Sequence, residues 1–226
     1  MAGFLKASAP TLGVLFDLDG TLADTAPDLA WALNTLRLRY DRPALPLGTL
    51  RPLASHGARG LLKAGFDLSP SDPYYEELRD EFLALYHDHL CVDTRLFDGV
   101  LELLGVLDTR KIPWGIVTNK LTRFTVPLVR LLGLDERAGC VVSGDTYARP
   151  KPYPDPLIGA AKELKLPVPA LLYVGDDARD MQAAQAAGAQ GIVARYGYLG
   201  EGPAPEQWPA RGMIASPLEL LSFLPA

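Results

Sequence analysis

The sequence predicts an α/β fold: a Rossmann-like doubly wound parallel sheet with a small helical cap domain inserted after the first strand. Three observations carry this. Short apolar runs bounded by turn residues recur along the chain, helix-patterned segments alternate with them, and one long stretch reads as helix after helix. Unbroken apolar runs suit parallel strands covered on both faces. Strand–helix alternation implies a parallel sheet with helices on either side.

The predicted strands are Leu12–Phe16, Trp114–Val117, Cys140–Val142, Leu171–Val174 and Gly191–Ala194, with Met213–Ile214 beginning an edge strand. Between them, Val100–Leu107, Arg123–Leu132 and Pro156–Leu164 place apolar residues at helical spacing. Ala178–Ala187 is rich in the best helix former, and Gly188 is placed to stop it. From about Pro27 to Leu90 the spacing is helical throughout, over Leu29–Leu38, Gly57–Lys63 and Pro73–Leu90, broken around Arg42–Gly48 and Pro70–Pro73. The predicted core domain is therefore residues 1–24 and 95–226, and the cap is residues 25–94. The hinges fall near Asp24–Pro27 and Thr94–Gly99. The Pro- and Gly-rich Gly200–Pro209 stretch reads as a surface loop before a final strand and helix.

The 226 residues suit one α/β domain with an insert. With 48% hydrophobic and 22% charged residues, a sizeable core can form. A net charge of −5 without a Lys/Arg cluster disfavours a nucleic-acid partner, which needs a basic face. No run reaches the length of a membrane span, and Met1–Pro10 lacks the apolar stretch of a signal peptide. Cys91 and Cys140 are far apart, without metal-ligand or redox spacing, and read as reduced thiols of a cytoplasmic protein.

Polar residues gather where the apolar strands end, which is where open α/β sheets hold ligands. The first strand runs into Asp17-Leu18-Asp19-Gly20-Thr21. Residues two apart on a strand share a face, so Asp17 and Asp19 are close. Two such carboxylates need a cation, a shared proton or both. Gly20 allows a ligand close to the backbone. Thr118 and Asn119 end the second strand with a hydroxyl and an amide suited to phosphate oxygens. Lys151 sits between Pro150 and Pro152, which stiffen the chain around it. The fourth strand ends Gly175-Asp176-Asp177, with Asp180 one turn on.

In order and spacing these segments resemble the four motifs of the haloacid dehalogenase-like hydrolase superfamily, in Asp17–Thr21, Thr118, Lys151 and Gly175–Asp180. The resemblance implies a Mg²⁺-dependent phosphatase that hydrolyses a small phosphorylated metabolite via an aspartyl-phosphate, phosphoglycolate phosphatase-like first and an N-acetylmuramic acid 6-phosphate phosphatase as the alternative. It places Mg²⁺ on Asp17, the Asp19 backbone carbonyl and Asp176, an all-oxygen set of the kind Mg²⁺ prefers. Asp17 would be the nucleophile and Asp19 the acid and base. Lys151, Thr118, the Asn119 amide and Gly20 would hold the transferring phosphoryl group. Dehalogenating members lack an acid at the position of Asp19, so its presence points to phosphate. Asp177 and Asp180 read either as acids favoured in a helix's first turn or as partners of metal-bound water.

The cap loop Ser55-His56-Gly57-Ala58-Arg59-Gly60 corresponds to one that faces the site and sets substrate choice in similar proteins. Ser55, His56, Gly57 and Arg59 read equally as a polar joint between helices. His87 and His89 read as surface residues, and Lys63 as a solvated lysine. The insert's place and pattern fit phosphoglycolate phosphatases, N-acetylmuramic acid 6-phosphate phosphatases and β-phosphoglucomutases. Leu96–Leu104, Trp114–Lys120, Asp176–Asp180, Ala194–Tyr198, Trp208 and Ser216–Leu220 resemble the N-acetylmuramic acid 6-phosphate group, and the same features occur in phosphoglycolate phosphatases. A phosphomutase and a catalytically silent binding protein are the other readings. Oligomeric state is not encoded in these patterns.

Overall fold

The computed structural model describes residues 13–200 and 202–225. The elements are β1 (Gly13–Phe16), β2 (Ala23–Asp24), α1 (Ala26–Arg39), α2 (Leu47–Leu50), a 3₁₀ segment (Arg51–His56), α3 (Gly57–Phe66), α4 (Tyr75–Asp88), β3 (Arg95–Leu96), α5 (Val100–Thr109), β4 (Trp114–Val117), α6 (Thr122–Leu131), β5 (Val141–Val142), α7 (Asp155–Glu163), β6 (Leu171–Gly175), α8 (Ala178–Ala187), β7 (Gln190–Ala194) and β8 (Gly212–Ile214).

The main sheet has the order β5-β4-β1-β6-β7-β8, every pair parallel. Val14, Leu15 and Phe16 are buried on both faces, and β4 and β6 are equally enclosed. Leu12, which the sequence places in the first strand, lies outside the described residues. β5 is shorter than the apolar run suggests, and β8 starts one residue earlier. The last segment, Pro217–Phe223, is 3₁₀ rather than α-helical. Trp114, Leu103, Leu104, Leu128 and Val174 pack in one core layer; Leu15, Tyr173, Leu157 and Ala183 pack in the other.

Helices α1–α4 form a bundle with its own core, in which Leu33, Leu36, Leu62, Phe82 and Tyr86 meet. Two short strands absent from the sequence reading, β2 and β3, pair antiparallel where the chain enters and leaves the bundle. Two residues each is too little for a periodicity to register. α1 also begins earlier than its apolar pattern suggests, at Ala26. The first N–H groups of a helix need acceptors. Here the Tyr198 hydroxyl accepts from the backbone N–H of Thr25 at 2.7 Å and of Ala26 at 2.9 Å, so a distant side chain caps the helix.

The return crossing is fixed by Asp28, which is fully buried. Its carboxylate accepts from Asp93 N (2.8 Å), Thr94 N (3.0 Å) and Thr94 Oγ1 (2.7 Å). His89 is not the surface residue its sequence context suggests. Its ring stacks on Trp31 at 3.7 Å, and its Nε2 lies 3.6 Å from Asp28. His87 is exposed, and Lys63 is an exposed partner of Asp67. Replacing Asp28 by Ala strips an acceptor from three donors; the expected loss is about 3 kcal/mol of unfolding free energy, read by urea denaturation.

Candidate active site

Adjacent strands lie about 4.8 Å apart, so residues just past the ends of β4, β1 and β6 must be neighbours. The order β4-β1-β6 brings Thr118, Asp17 and Asp176 together in this way. Lys151 arrives from the loop after β5. The Asn119 side chain fixes it there: its Oδ1 accepts from Lys151 N at 3.0 Å and its Nδ2 donates to Lys151 O at 2.9 Å. The side-chain amide of Asn119 therefore holds lysine backbone.

The Lys151 ammonium is buried. It lies 2.9 Å from Asp17 Oδ1 and donates to Asp180 Oδ1 (2.7 Å), the Tyr173 hydroxyl (2.7 Å) and the Val117 carbonyl (3.1 Å). Burial works against its charge, but Asp17 and Asp180 outweigh that and hold it above the usual lysine range. Asp17 Oδ1 also accepts from Leu18 N at 2.7 Å. Asp176 Oδ1 accepts from Thr21 Oγ1 at 3.1 Å, and its Oδ2 from Tyr198 N at 2.8 Å. Gly20 has φ +81°, and a side chain there would collide with the Asp176 carboxylate. That collision, as much as the turn, requires glycine.

Asp17, Asp176 and Asp180 offer oxygens within 4.8 Å of one another. Burial pushes the Asp17 carboxyl up to about 7, with repulsion from Asp180 and Asp19 adding and Lys151 opposing. Burial and the same neighbouring carboxylates hold Asp176 well above its ordinary value. Three buried carboxyls facing one ammonium leave an excess of negative charge that a divalent cation would relieve, and an all-oxygen donor set fits a hard ion. Asp180 already serves Lys151, Tyr173 and the Asp177 N–H with its two oxygens. Asp177 caps α8 and is gripped by Arg179 at 2.8 Å; burial would raise it, but the guanidinium outweighs this and keeps it below the usual range.

Asp19 sits beside this cluster with a different environment. Its Oδ1 accepts from Thr25 Oγ1 at 2.5 Å and Lys120 Nζ at 2.8 Å. Lys120 is buried over the face of Tyr86, 4.7 Å from the ring centroid. Burial opposes its charge, while Asp19 and Tyr86 raise it above the lysine range. Sequence reasoning gave no site role to Thr25, Lys120, Tyr173, Arg179 or Tyr198, although Lys120, Arg179 and Tyr198 fall in stretches singled out for their resemblance, and Lys120 stands just past a predicted strand end.

A chamber of about 450 Å³ opens from these groups toward the bundle. Asp17, Asp19, Thr118, Asn119 and Lys151 line it together with the apolar and aromatic side chains of Leu29, Phe82, Leu83, Tyr86 and Phe124. Ser55, His56 and Gly57 also face it, and Ser55 Oγ is 3.5 Å from Asp176 Oδ2. Arg59 does not: it lines a second cavity with Lys63 and Trp208, which His56 borders too. The loop is docked on the sheet side through Arg179 Nη2, which donates to the Ser55 carbonyl at 2.8 Å.

Residues 14–194 match the model of the haloacid dehalogenase-like hydrolase family. An N-acetylmuramic acid 6-phosphate phosphatase of Pseudomonas aeruginosa is 39% identical over 93% of this chain and 93% of its own. A phosphoglycolate phosphatase of Xanthomonas campestris is 38% identical over 92% of this chain and 93% of its own. Among solved structures, a Haemophilus somnus protein predicted to be a phosphoglycolate phosphatase superposes with a TM-score of 0.84, over 96% of this chain and 99% of its own, at 23% identity, which speaks to fold. Among the described residues no helix is long and apolar enough to cross a membrane.

Lys151→Met leaves the buried carboxyls without their ammonium. The expected loss is about 3 kcal/mol of unfolding free energy at pH 7.5, smaller at pH 5.5, where Asp17, its pKa near 7, is protonated. Urea unfolding at both pH values checks the size and the trend.

Proposed function

From the premise that the chain belongs to the haloacid dehalogenase-like hydrolases and is a phosphatase of the phosphoglycolate and N-acetylmuramic acid 6-phosphate phosphatase type, we propose that it is a Mg²⁺-dependent enzyme working through an aspartyl-phosphate on Asp17. The observation that carries this is that Asp17, Asp19, Thr118 and Lys151 line one chamber, with an Asp176 carboxylate oxygen within 4.8 Å of one from Asp17. Residues 25–94 then act as the cap over the site.

The Asp17 and Asp176 carboxylates and the Asp19 carbonyl would hold Mg²⁺, which would supply charge neutralisation for an incoming phosphate dianion. Asp17 Oδ attacks phosphorus as the P–O ester bond breaks. The electron pair leaves on the ester oxygen, which takes a proton from Asp19. Asp19 then removes a proton from the water that cleaves the acyl phosphate, releasing inorganic phosphate and restoring Asp17. Lys151, Thr118 Oγ1 and the Asn119 N–H are suited to the non-bridging oxygens, where charge is greatest. Thr25 and Lys120 hold Asp19 toward the chamber.

The chamber's size and the apolar side chains among its lining support a leaving group larger than a two-carbon acid, and N-acetylmuramic acid 6-phosphate is the substrate we infer. 2-Phosphoglycolate is the second reading, favoured by the names of other relatives. A phosphomutase would isomerise a sugar phosphate without releasing phosphate. Asp17→Asn should reduce phosphate release to background with Mg²⁺ present while the far-UV circular dichroism is unchanged; retained turnover would remove Asp17 as nucleophile.

The raised carboxyls also set a pH dependence. Below its pKa near 7 Asp17 carries a proton that a cation must displace. The half-saturating Mg²⁺ concentration should rise about tenfold from pH 8 to pH 6. A flat metal titration across that range would count against Asp17 as a ligand.

A further inference from the structure

Buried hydroxyls in folded proteins ordinarily find partners. Around this site they do: Thr21 donates to Asp176, Thr25 to Asp19, Tyr173 to Val117, and Tyr198 to Asp24. Tyr86 does not. It is 1% exposed, it lines the chamber, and among the described residues its hydroxyl has no acceptor for its proton. The ring is held by α4 and packs against Phe124 with centroids 5.3 Å apart. The Lys120 ammonium lies over the ring, 4.7 Å from its centroid and close enough to act on the phenol, and the same ammonium is 2.8 Å from Asp19 Oδ1, so the hydroxyl's proton is left without an acceptor.

This places the unpartnered hydroxyl on one side of the site. Asp17, Thr118 and Lys151 surround the phosphoryl position, whereas Asp19 serves the ester oxygen. Groups beyond Asp19, on the bundle side, meet the alcohol that departs. Both groups there are donors: the ammonium by charge, and the phenol because burial pushes it up to about 12, so it keeps its proton at neutral pH.

We propose that Tyr86, with Lys120 beside it, determines specificity by hydrogen-bonding an acceptor oxygen of the leaving group a few bonds from the ester oxygen. The enzyme then favours phosphomonoesters whose alcohol carries a carboxylate, hydroxyl or ether oxygen near the phosphorylated carbon over simple aryl phosphates. This rests on the phosphatase reading above. A glycolate carboxylate and the ring or hydroxyl oxygens of a sugar both offer that chemistry.

The test compares kcat and KM of the full-length wild type and Tyr86→Phe, with Mg²⁺, on 2-phosphoglycolate, N-acetylmuramic acid 6-phosphate and phenyl phosphate, together with the Tm of each protein. Tyr86→Phe should lower kcat/KM about tenfold on an acceptor-bearing substrate, mostly through KM, with a smaller loss on phenyl phosphate. The Tm should hold or rise, because a buried hydroxyl lacking a partner has been removed. Whichever of the first two substrates shows the loss identifies the source of the acceptor. Equal losses on all three, no loss on either acceptor-bearing substrate, or a Tm lowered by several degrees would overturn the proposal. Wild type that releases phosphate from none of them would instead overturn the phosphatase reading itself.

Discussion

The structure turns on an unbalanced charge. Asp17, Asp176 and Asp180 are buried together at the carboxyl edge of the sheet, with Lys151 as the ammonium among them. Left alone, such a cluster must take up protons or a cation, because ionised carboxylates are costly where water is excluded. Much of the surrounding architecture answers to it. Asn119 fixes the lysine's backbone, Tyr173 fills out its hydrogen bonds, Thr21 and the Tyr198 N–H hold Asp176, and the lack of a side chain at Gly20 lets that carboxylate approach.

Sheet and bundle divide the work. The parallel strands deliver reactive groups from adjacent ends, where rigid backbone leaves little freedom. The helices line the chamber as well and reach the reacting centre through one loop, docked by Arg179 on the Ser55 carbonyl. The buried charged groups thus come from the strand ends and their loops, while most of the apolar lining of the chamber comes from the bundle.

The convergence of Asp17, Asp19, Thr118 and Asp176 was legible in sequence because each closely follows an apolar run read as a buried strand, whereas Lys151 stood out by the prolines on either side of it. Parallel strands with their carboxyl ends on one edge do the rest. Other features were not legible, for identifiable reasons. Tyr86 looks like one more apolar position of a helical pattern, and only packing shows that its hydroxyl is stranded. Tyr198 lies in a loop with no periodicity. Arg59 stands three residues from His56, close enough to read as one unit, yet the first turns of α3 carry it round to a separate cavity. His89, read as exposed, is covered by Trp31.

Tyr198 joins two regions that the chain keeps far apart. Its main-chain N–H grips Asp176, while its phenol caps the start of α1 and donates to Asp24, itself paired with Arg51 of the cap at 2.6 Å. An aromatic ring is a stiff strut with two torsions. One residue therefore spans the carboxyl edge of the sheet and the point where the chain enters the helical bundle, so a change in either set of contacts has to be accommodated at the other.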